Sequence, residues 1–125
     1  MILGIGVDLL EVDRVERELR RDDPPFLSGL FSRSEIALAG RQRFPARYYA
    51  ARFAAKEAVF KALAAGRRDG ASWREVEVLP APGGRHEVLL HGKMKNLARE
   101  LGVRRICLSL THTRTLAAAG VVLES

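Results

Sequence analysis

The residues with most capacity for chemistry lie in the stretch Arg52-Phe53-Ala54-Ala55-Lys56-Glu57-Ala58-Val59-Phe60-Lys61-Ala62-Leu63. Its Ala content and the Pro45 upstream predict one long helix over 45–64, with proline in the first turn, where its missing N–H costs little. At about 100° per residue, Ala50, Phe53, Ala54, Phe60 and Ala64 share the side of Glu57, and so does Lys61. A carboxylate thus stands in the middle of an apolar face, where an ionised group is costly unless something pairs with it. A solvated i, i+4 pair with Lys61 contributes only ~0.2–0.5 kcal/mol, and such pairs usually lie on the polar face. The sharper chemistry is a metal-binding carboxylate beside a phosphate-binding ammonium. That arrangement needs a second carboxylate from elsewhere, because a hard cation such as Mg²⁺ takes oxygen ligands and often completes its shell with substrate phosphate.

Other charged groups form patterns of their own. Arg14, Arg17 and Arg21 fall on one face of a helix expected at about 11–21, whose apolar stripe is Val12, Val15 and Leu19. A solvated face offset by Glu16 and Glu18 is the commoner meaning of such a stripe. A docking surface for an acidic partner is the other. Arg41, Arg43 and Arg47 precede the long helix, as loop arginines or as phosphate contacts near its N-terminus. Asp8 ends a glycine-bearing strand and on its own reads as a cap for the next helix. His112 falls in a turn between two strands.

The elements that must position these groups follow from the pattern. Residues 2–8 read as a buried strand with Leu3, Ile5, Val7 and Leu9 on one face. Gly4, Gly6 and Asp8 share the other face, where the glycines leave room for another backbone or a ligand. Asp22-Asp23-Pro24-Pro25 breaks the first helix, Phe26–Phe31 is a short apolar piece, and Ser32-Arg33-Ser34-Glu35 is a capping box for a helix ending at Gly40. After a loop over 64–71, Trp73–Leu79 and His86–His91 form a hairpin around Pro80–Gly84. Lys93–Leu101 is an amphipathic helix with Met94, Leu97, Ala98 and Leu101 inward and Gly102 closing it. Strands at 105–111 and 115–124 end the chain. The last is apolar on both faces, so it is expected at the centre of a sheet or at a subunit interface.

Composition bounds the function. The 125 residues, with no repeats or linker, fit one domain over 1–125. The fold class expected is α+β: a mainly antiparallel sheet packed with one long helix and several shorter ones. Twenty-one Lys and Arg against fifteen Asp and Glu give +6, which points to acidic or phosphorylated partners. Aromatics make up only 6% and do not alternate with basic residues, against a nucleic-acid stacking surface. One Cys and three scattered His make no zinc site, and Cys107, in an apolar run, reads as a buried inert thiol. No apolar run approaches a membrane span, and the opening residues lack a charged leader, so a cytoplasmic protein is expected.

Gly4-Ile5-Gly6-Val7-Asp8-Leu9, followed by Arg52-Phe53-Ala54-Ala55-Lys56-Glu57-Ala58 and Lys61-Ala62-Leu63, resembles the two signature motifs of the holo-acyl-carrier-protein synthase family. This is the small bacterial class of 4′-phosphopantetheinyl transferases. Glu75–Val78, Leu90–Lys93 and Leu108–His112 fall in the expected order, so the resemblance spans nearly the whole chain. It implies that Asp8 is the second carboxylate, that Asp8 and Glu57 hold one Mg²⁺, and that the ion also binds the pyrophosphate of coenzyme A. The implied reaction is attack by a serine of apo-acyl carrier protein on the β-phosphorus of coenzyme A, with adenosine 3′,5′-bisphosphate leaving, in support of fatty acid biosynthesis. Lys61 would neutralise phosphate charge, and either Glu57 or a metal-bound water would accept the serine proton. Arg52, the Gly66 loop and His112 would line the coenzyme A site, and Arg14, Arg17 and Arg21 would dock the carrier protein. A homotrimer with sites between subunits is also implied, with no nucleic-acid or membrane partner. Three positions depart from the family pattern: Ala64 in place of Gly, Thr111 in place of Ser, and Thr113 in place of an acid.

Overall fold

The computed structural model describes residues 1–21, 24–64 and 72–125. The order is β1 (Ile2–Glu11), α1 (Val12–Arg20), α2 (Pro24–Leu30), α3 (Arg33–Ala39), α4 (Pro45–Ala62), β2 (Val76–Ala81), β3 (Arg85–Leu90), α5 (Gly92–Glu100), β4 (Arg105–His112) and β5 (Leu116–Glu124). An antiparallel sheet in the order β1-β5-β4 and a separate hairpin β2-β3 pack around α4, which gives the α+β class expected. The apolar C-terminal strand is indeed the central one.

Helix α4 is the hub. Ala51, Ala54, Ala55, Ala58 and Val59 are fully buried, and Tyr49, Phe53 and Phe60 nearly so. Small alanines let the sheet lie close on one side, while the aromatics reach the helices and the hairpin on the other. Phe31, Val12, Val15, Met94 and Leu123 complete the core, each full burial contributing ~1.5–3 kcal/mol. The Ser32–Glu35 capping box forms as expected, and Glu35 does more than cap. Its carboxylate takes Lys56 Nζ at 2.8 Å and the Val78 N–H at 2.9 Å, so one buried acid joins α3, α4 and β2. Lys56 Nζ also donates to the carbonyls of Trp73 and Val76.

Several expectations are corrected. The apolar face of β1 is not buried in this chain: Ile5, Val7 and Leu9 are each more than 60% exposed. The glycine face is the one that packs. A Cβ on Gly4 would lie 2.3 Å from the Ala62 carbonyl oxygen, and one on Gly6 would lie 1.9 Å from that of Ala58. The approach of α4 therefore dictates which side of the strand faces inward, and the larger side chains point away. Trp73–Glu75 is a single 3-10 turn rather than strand, because Ser72 and Glu75 cap each other there. Leu101 follows the last turn of α5 and is exposed, not inward. Cys107 is half-buried, its thiol 3.2 Å from a Glu124 carboxylate oxygen. His112 is the last residue of β4 rather than part of the turn.

Candidate active site

The close contact of β1 with α4 brings Asp8 beside the last turn of the long helix. Lys61 Nζ donates to Asp8 Oδ1 at 2.8 Å and to the Val7 carbonyl at 3.1 Å. The Asp8 side chain is largely covered, whereas that of Lys61 is half-exposed. The hydrogen bond to Asp8, then the charge of Asp8, raises the Lys61 pKa, and the charge of Glu57 adds to the rise. The Lys61 hydrogen bonds reach across to the strand rather than along the helix. Asp8 holds the ammonium directly, and Glu57, one turn before Lys61 on α4, acts on it through charge. The donor set suits Mg²⁺, which is usually bound through one or two carboxylates with substrate phosphate and water completing the shell. Among the described residues no group of three or more His, Cys, Asp or Glu could hold a metal by itself.

Glu57 is half-buried and opens onto a cavity of about 450 Å³ whose walls include Arg14, Val15, Phe26, Phe53 and Trp73. Trp73 packs between two aromatics of α4, its ring centroid 4.3 Å from Phe60 and 5.7 Å from Phe53. The Arg14 guanidinium stands 5.9 Å over the Phe53 ring. Arg14 thus turns toward the cavity. Arg17 and Arg21 stay on the exposed surface beside Asp13 and Glu18, at 3.8 and 3.4 Å. The three arginines of one expected face therefore do different things.

Arg52 is placed elsewhere. Five residues from Glu57, it lies roughly 140° around the helix. There its guanidinium stacks 3.5 Å over the Tyr48 ring and donates to His86 Nε2 at 3.3 Å. His112 is exposed opposite Ala117, two strands away from β1. A single chain brings Asp8 against Lys61, with Glu57 one turn earlier on α4, but neither Arg52 nor His112 joins them. Gly66 lies outside the described residues, as does the loop that follows Ala64. The Thr113 hydroxyl is engaged in its own turn, accepting from the N–H groups of Thr115 and Leu116. Thr113 also sits three residues beyond Leu110, which lies level with Asp8 across β5, so it is remote from the Asp8 carboxylate within the chain.

Sequence reasoning passed over Trp73 and Phe26 as walls beside Glu57, and the buried Lys56–Glu35 pair. Lys56 had a visible signal, since its wheel position falls between those of Arg52 and Phe60. Trp73 had none, because its approach to α4 depends on a tertiary turn.

Comparison with known proteins agrees with this arrangement. Residues 4–118 match the model of the 4′-phosphopantetheinyl transferase superfamily. The chain is 45% identical to the holo-[acyl-carrier-protein] synthase of Solibacter usitatus over the full length of both, and 42% identical to that of Koribacter versatilis over 99% of each. The crystal structure of the Neisseria meningitidis holo-[acyl-carrier-protein] synthase superposes with a TM-score of 0.90, at 30% identity and complete coverage of both chains. The Helicobacter pylori enzyme, solved in complex with coenzyme A, gives 0.82 at 28% identity, covering 96% of this chain and 99% of that one. With its Gly-bearing strand and glutamate-bearing helix joined as described, the chain belongs to the holo-[acyl-carrier-protein] synthase family of 4′-phosphopantetheinyl transferases.

Proposed function

We propose that the protein transfers 4′-phosphopantetheine from coenzyme A to a serine of apo-acyl carrier protein, with Mg²⁺ held by Asp8 and Glu57, and releases adenosine 3′,5′-bisphosphate. The observation that supports the reading is the hydrogen bond of Lys61 to Asp8 at the β1–α4 joint, one helical turn beyond Glu57 on α4. A cation already favoured there by two carboxylates is what a pyrophosphate needs beside it. When bound, Mg²⁺ would supply Lewis-acid neutralisation of phosphate charge. Lys61 then exchanges Asp8 for a phosphate oxygen and stabilises the charge that builds up as the bridging bond breaks. Glu57 would help to hold the cation and would accept the serine proton. The serine oxygen bonds to the β-phosphorus as the bond from that phosphorus to the bridging oxygen breaks, and the leaving nucleotide keeps the bridging oxygen.

The cavity beside Glu57 suits the carrier protein. Its aromatic floor can take an apolar side chain, and Arg14 at its wall suits an acidic surface, extended outward by Arg17 and Arg21. Arg52 and His112 are assigned to coenzyme A. Because Arg52 lies across α4 from Glu57, those contacts would come from a neighbouring copy in a homotrimer built on the exposed apolar face of β1 and β5. Carrier modification of this kind serves fatty acid biosynthesis in the cytoplasm. Among the described residues no helix is long and apolar enough to cross a membrane. The test is mass spectrometry of apo-acyl carrier protein incubated with the protein, coenzyme A and Mg²⁺. The expected result is a gain of the phosphopantetheine mass that disappears with a chelator; an unmodified carrier would refute the reading.

A further inference from the structure

Lys56 stands next to Glu57 in the sequence and has no part in the transfer chemistry. It is fully buried, and so is its partner Glu35. An ammonium has three protons to donate. Here they are met by the Glu35 carboxylate at 2.8 Å, the Trp73 carbonyl at 3.2 Å and the Val76 carbonyl. All three are committed, so Lys56 has nothing left to offer a ligand. Nor does stability account for the pair, because a buried ion pair can often be exchanged for apolar groups at no loss.

What the pair fixes is the place of Trp73. The turn Trp73–Glu75 is fastened at both ends. Its far end is held by Glu75, whose carboxylate accepts the Met94 N–H at 3.1 Å in the first turn of α5 and whose carbonyl accepts the His91 N–H at 2.8 Å. Its near end hangs from Lys56 by the Trp73 carbonyl. Between them the indole is half-buried, packed on Phe60 and Phe53, and it forms a wall of the cavity onto which Glu57 opens. Ring contacts by themselves allow several offsets and tilts. The bond from Lys56 to the carbonyl selects one of them. Lys56 and Glu57 project from α4 about 100° apart around its axis. One helix position therefore sets the wall and the next sets the carboxylate that faces the same cavity.

We infer that Lys56 is a positioning residue for the acceptor: through the Trp73 carbonyl it holds the indole as the wall against which an apolar side chain of the carrier protein packs when the serine is presented to Glu57. This rests on the transferase reading, under which the occupant of the cavity is the carrier protein. Lys56 itself touches neither substrate, and Glu35 serves to keep its charge in place.

Lys56→Met alone would strand Glu35 as an unpaired buried charge, so the test removes both charges with Lys56→Met and Glu35→Gln, the glutamine keeping a carbonyl acceptor. This pair variant is expected to fold, as read by circular dichroism. Its kcat/KM for apo-acyl carrier protein should fall roughly tenfold, through KM, while KM for coenzyme A stays within about twofold. A role in stability alone would lower Tm and leave both KM values where they were, which would overturn the inference. So would a pair variant that cannot fold. Trp73 is the single tryptophan of the chain, so its fluorescence reads the wall without turnover. The pair variant should show red-shifted emission and stronger acrylamide quenching than wild type. Trp73→Ala should raise the carrier KM by itself, and adding the pair change to it should do no further harm to kcat/KM for the carrier. An equal further loss would mean that Lys56 acts by another route, against the inference. Absence of any transfer by wild type would count against the transferase reading alone, while unchanged emission in the pair variant would count against the placement of Trp73 by Lys56.

Discussion

At the scale of single residues, the two carboxylates do unequal structural work and equal proposed chemistry. Asp8 meets a half-exposed Lys61, and a solvent-screened pair of that kind adds little stability. Asp8→Ala and Glu57→Ala are therefore expected to keep the fold while lowering Mg²⁺-dependent transfer on the order of a hundredfold or more. Circular dichroism and a carrier-modification assay check both halves, and near-normal turnover in either variant would remove that residue from the cation site. Ala64 carries a different lesson. Its φ of +52° is the left-handed region that disfavours a Cβ, and its N–H donates to the Lys61 carbonyl to close α4. The family pattern has Gly here, and the chain keeps the glycine conformation without the glycine. Relief of the strain, less the extra freedom glycine gains when unfolded, leaves ~0.5–1 kcal/mol for Ala64→Gly. That corresponds to a rise of about 2–6 °C in Tm. A lower Tm would mean that the chain beyond Leu63 turns by another route.

At the scale of elements, the site depends on how closely β1 lies on α4. That closeness was legible in the sequence: Gly4 and Gly6 alternate with large apolar residues, and the spare room they leave is filled by the backbone of α4. The helix boundaries, the capping box at Ser32 and the central position of β5 were legible too, because each follows from local pattern. What the sequence could not give was the partner of each charged group. Lys61 points to Asp8 because the strand arrives from 53 residues away, and Lys56 is buried because three separate elements supply it with acceptors. Arg14 and Arg17 share a helical face by periodicity, yet only Arg14 meets a cavity, since Phe53 and Trp73 lie on that side alone. The strand was read as buried, and the exposure of Ile5, Val7 and Leu9 was not legible for the same reason, as hydrophobicity alone does not say which neighbour covers a face. The joint can be tested directly. Gly6→Ala would force a Cβ to 1.9 Å from a helix carbonyl, and α4, packed all round, has little space to retreat. We expect a loss of ~1–3 kcal/mol or more by urea unfolding. Transfer should fall further than stability explains, because Lys61 and Glu57 would move away from Asp8. A variant as active as the parent would show that the β1–α4 spacing does not set the site.

At the scale of the whole molecule, the apolar residues that β1 turns away from its own core need a cover. Ile5 lies beside Val122, Val7 beside Gly120 and Leu9 beside Ala118, so the side chains of β1 and β5 make one continuous surface, extended by Leu116. Monomers rarely leave such a patch in water, and a closed symmetric ring of copies removes it without leaving a free end. The position of Arg52 argues in the same direction, since it cannot reach Glu57 around its own helix. Light scattering at micromolar concentration should report a trimer, and Val7→Lys, which puts a charge in the centre of the patch, should give a folded monomer with little transfer activity. A wild-type monomer, or a Val7→Lys trimer, would contradict the assembly. The sharing of sites can be separated from assembly alone by mixing. Asp8→Ala and Arg52→Ala should each be nearly inactive alone. If one copy supplies Asp8 and its neighbour supplies Arg52, unfolding the two together in equal amounts and refolding them should restore about a quarter of the sites. If each copy builds its site alone, every chain in the mixture still carries one defect and no activity returns.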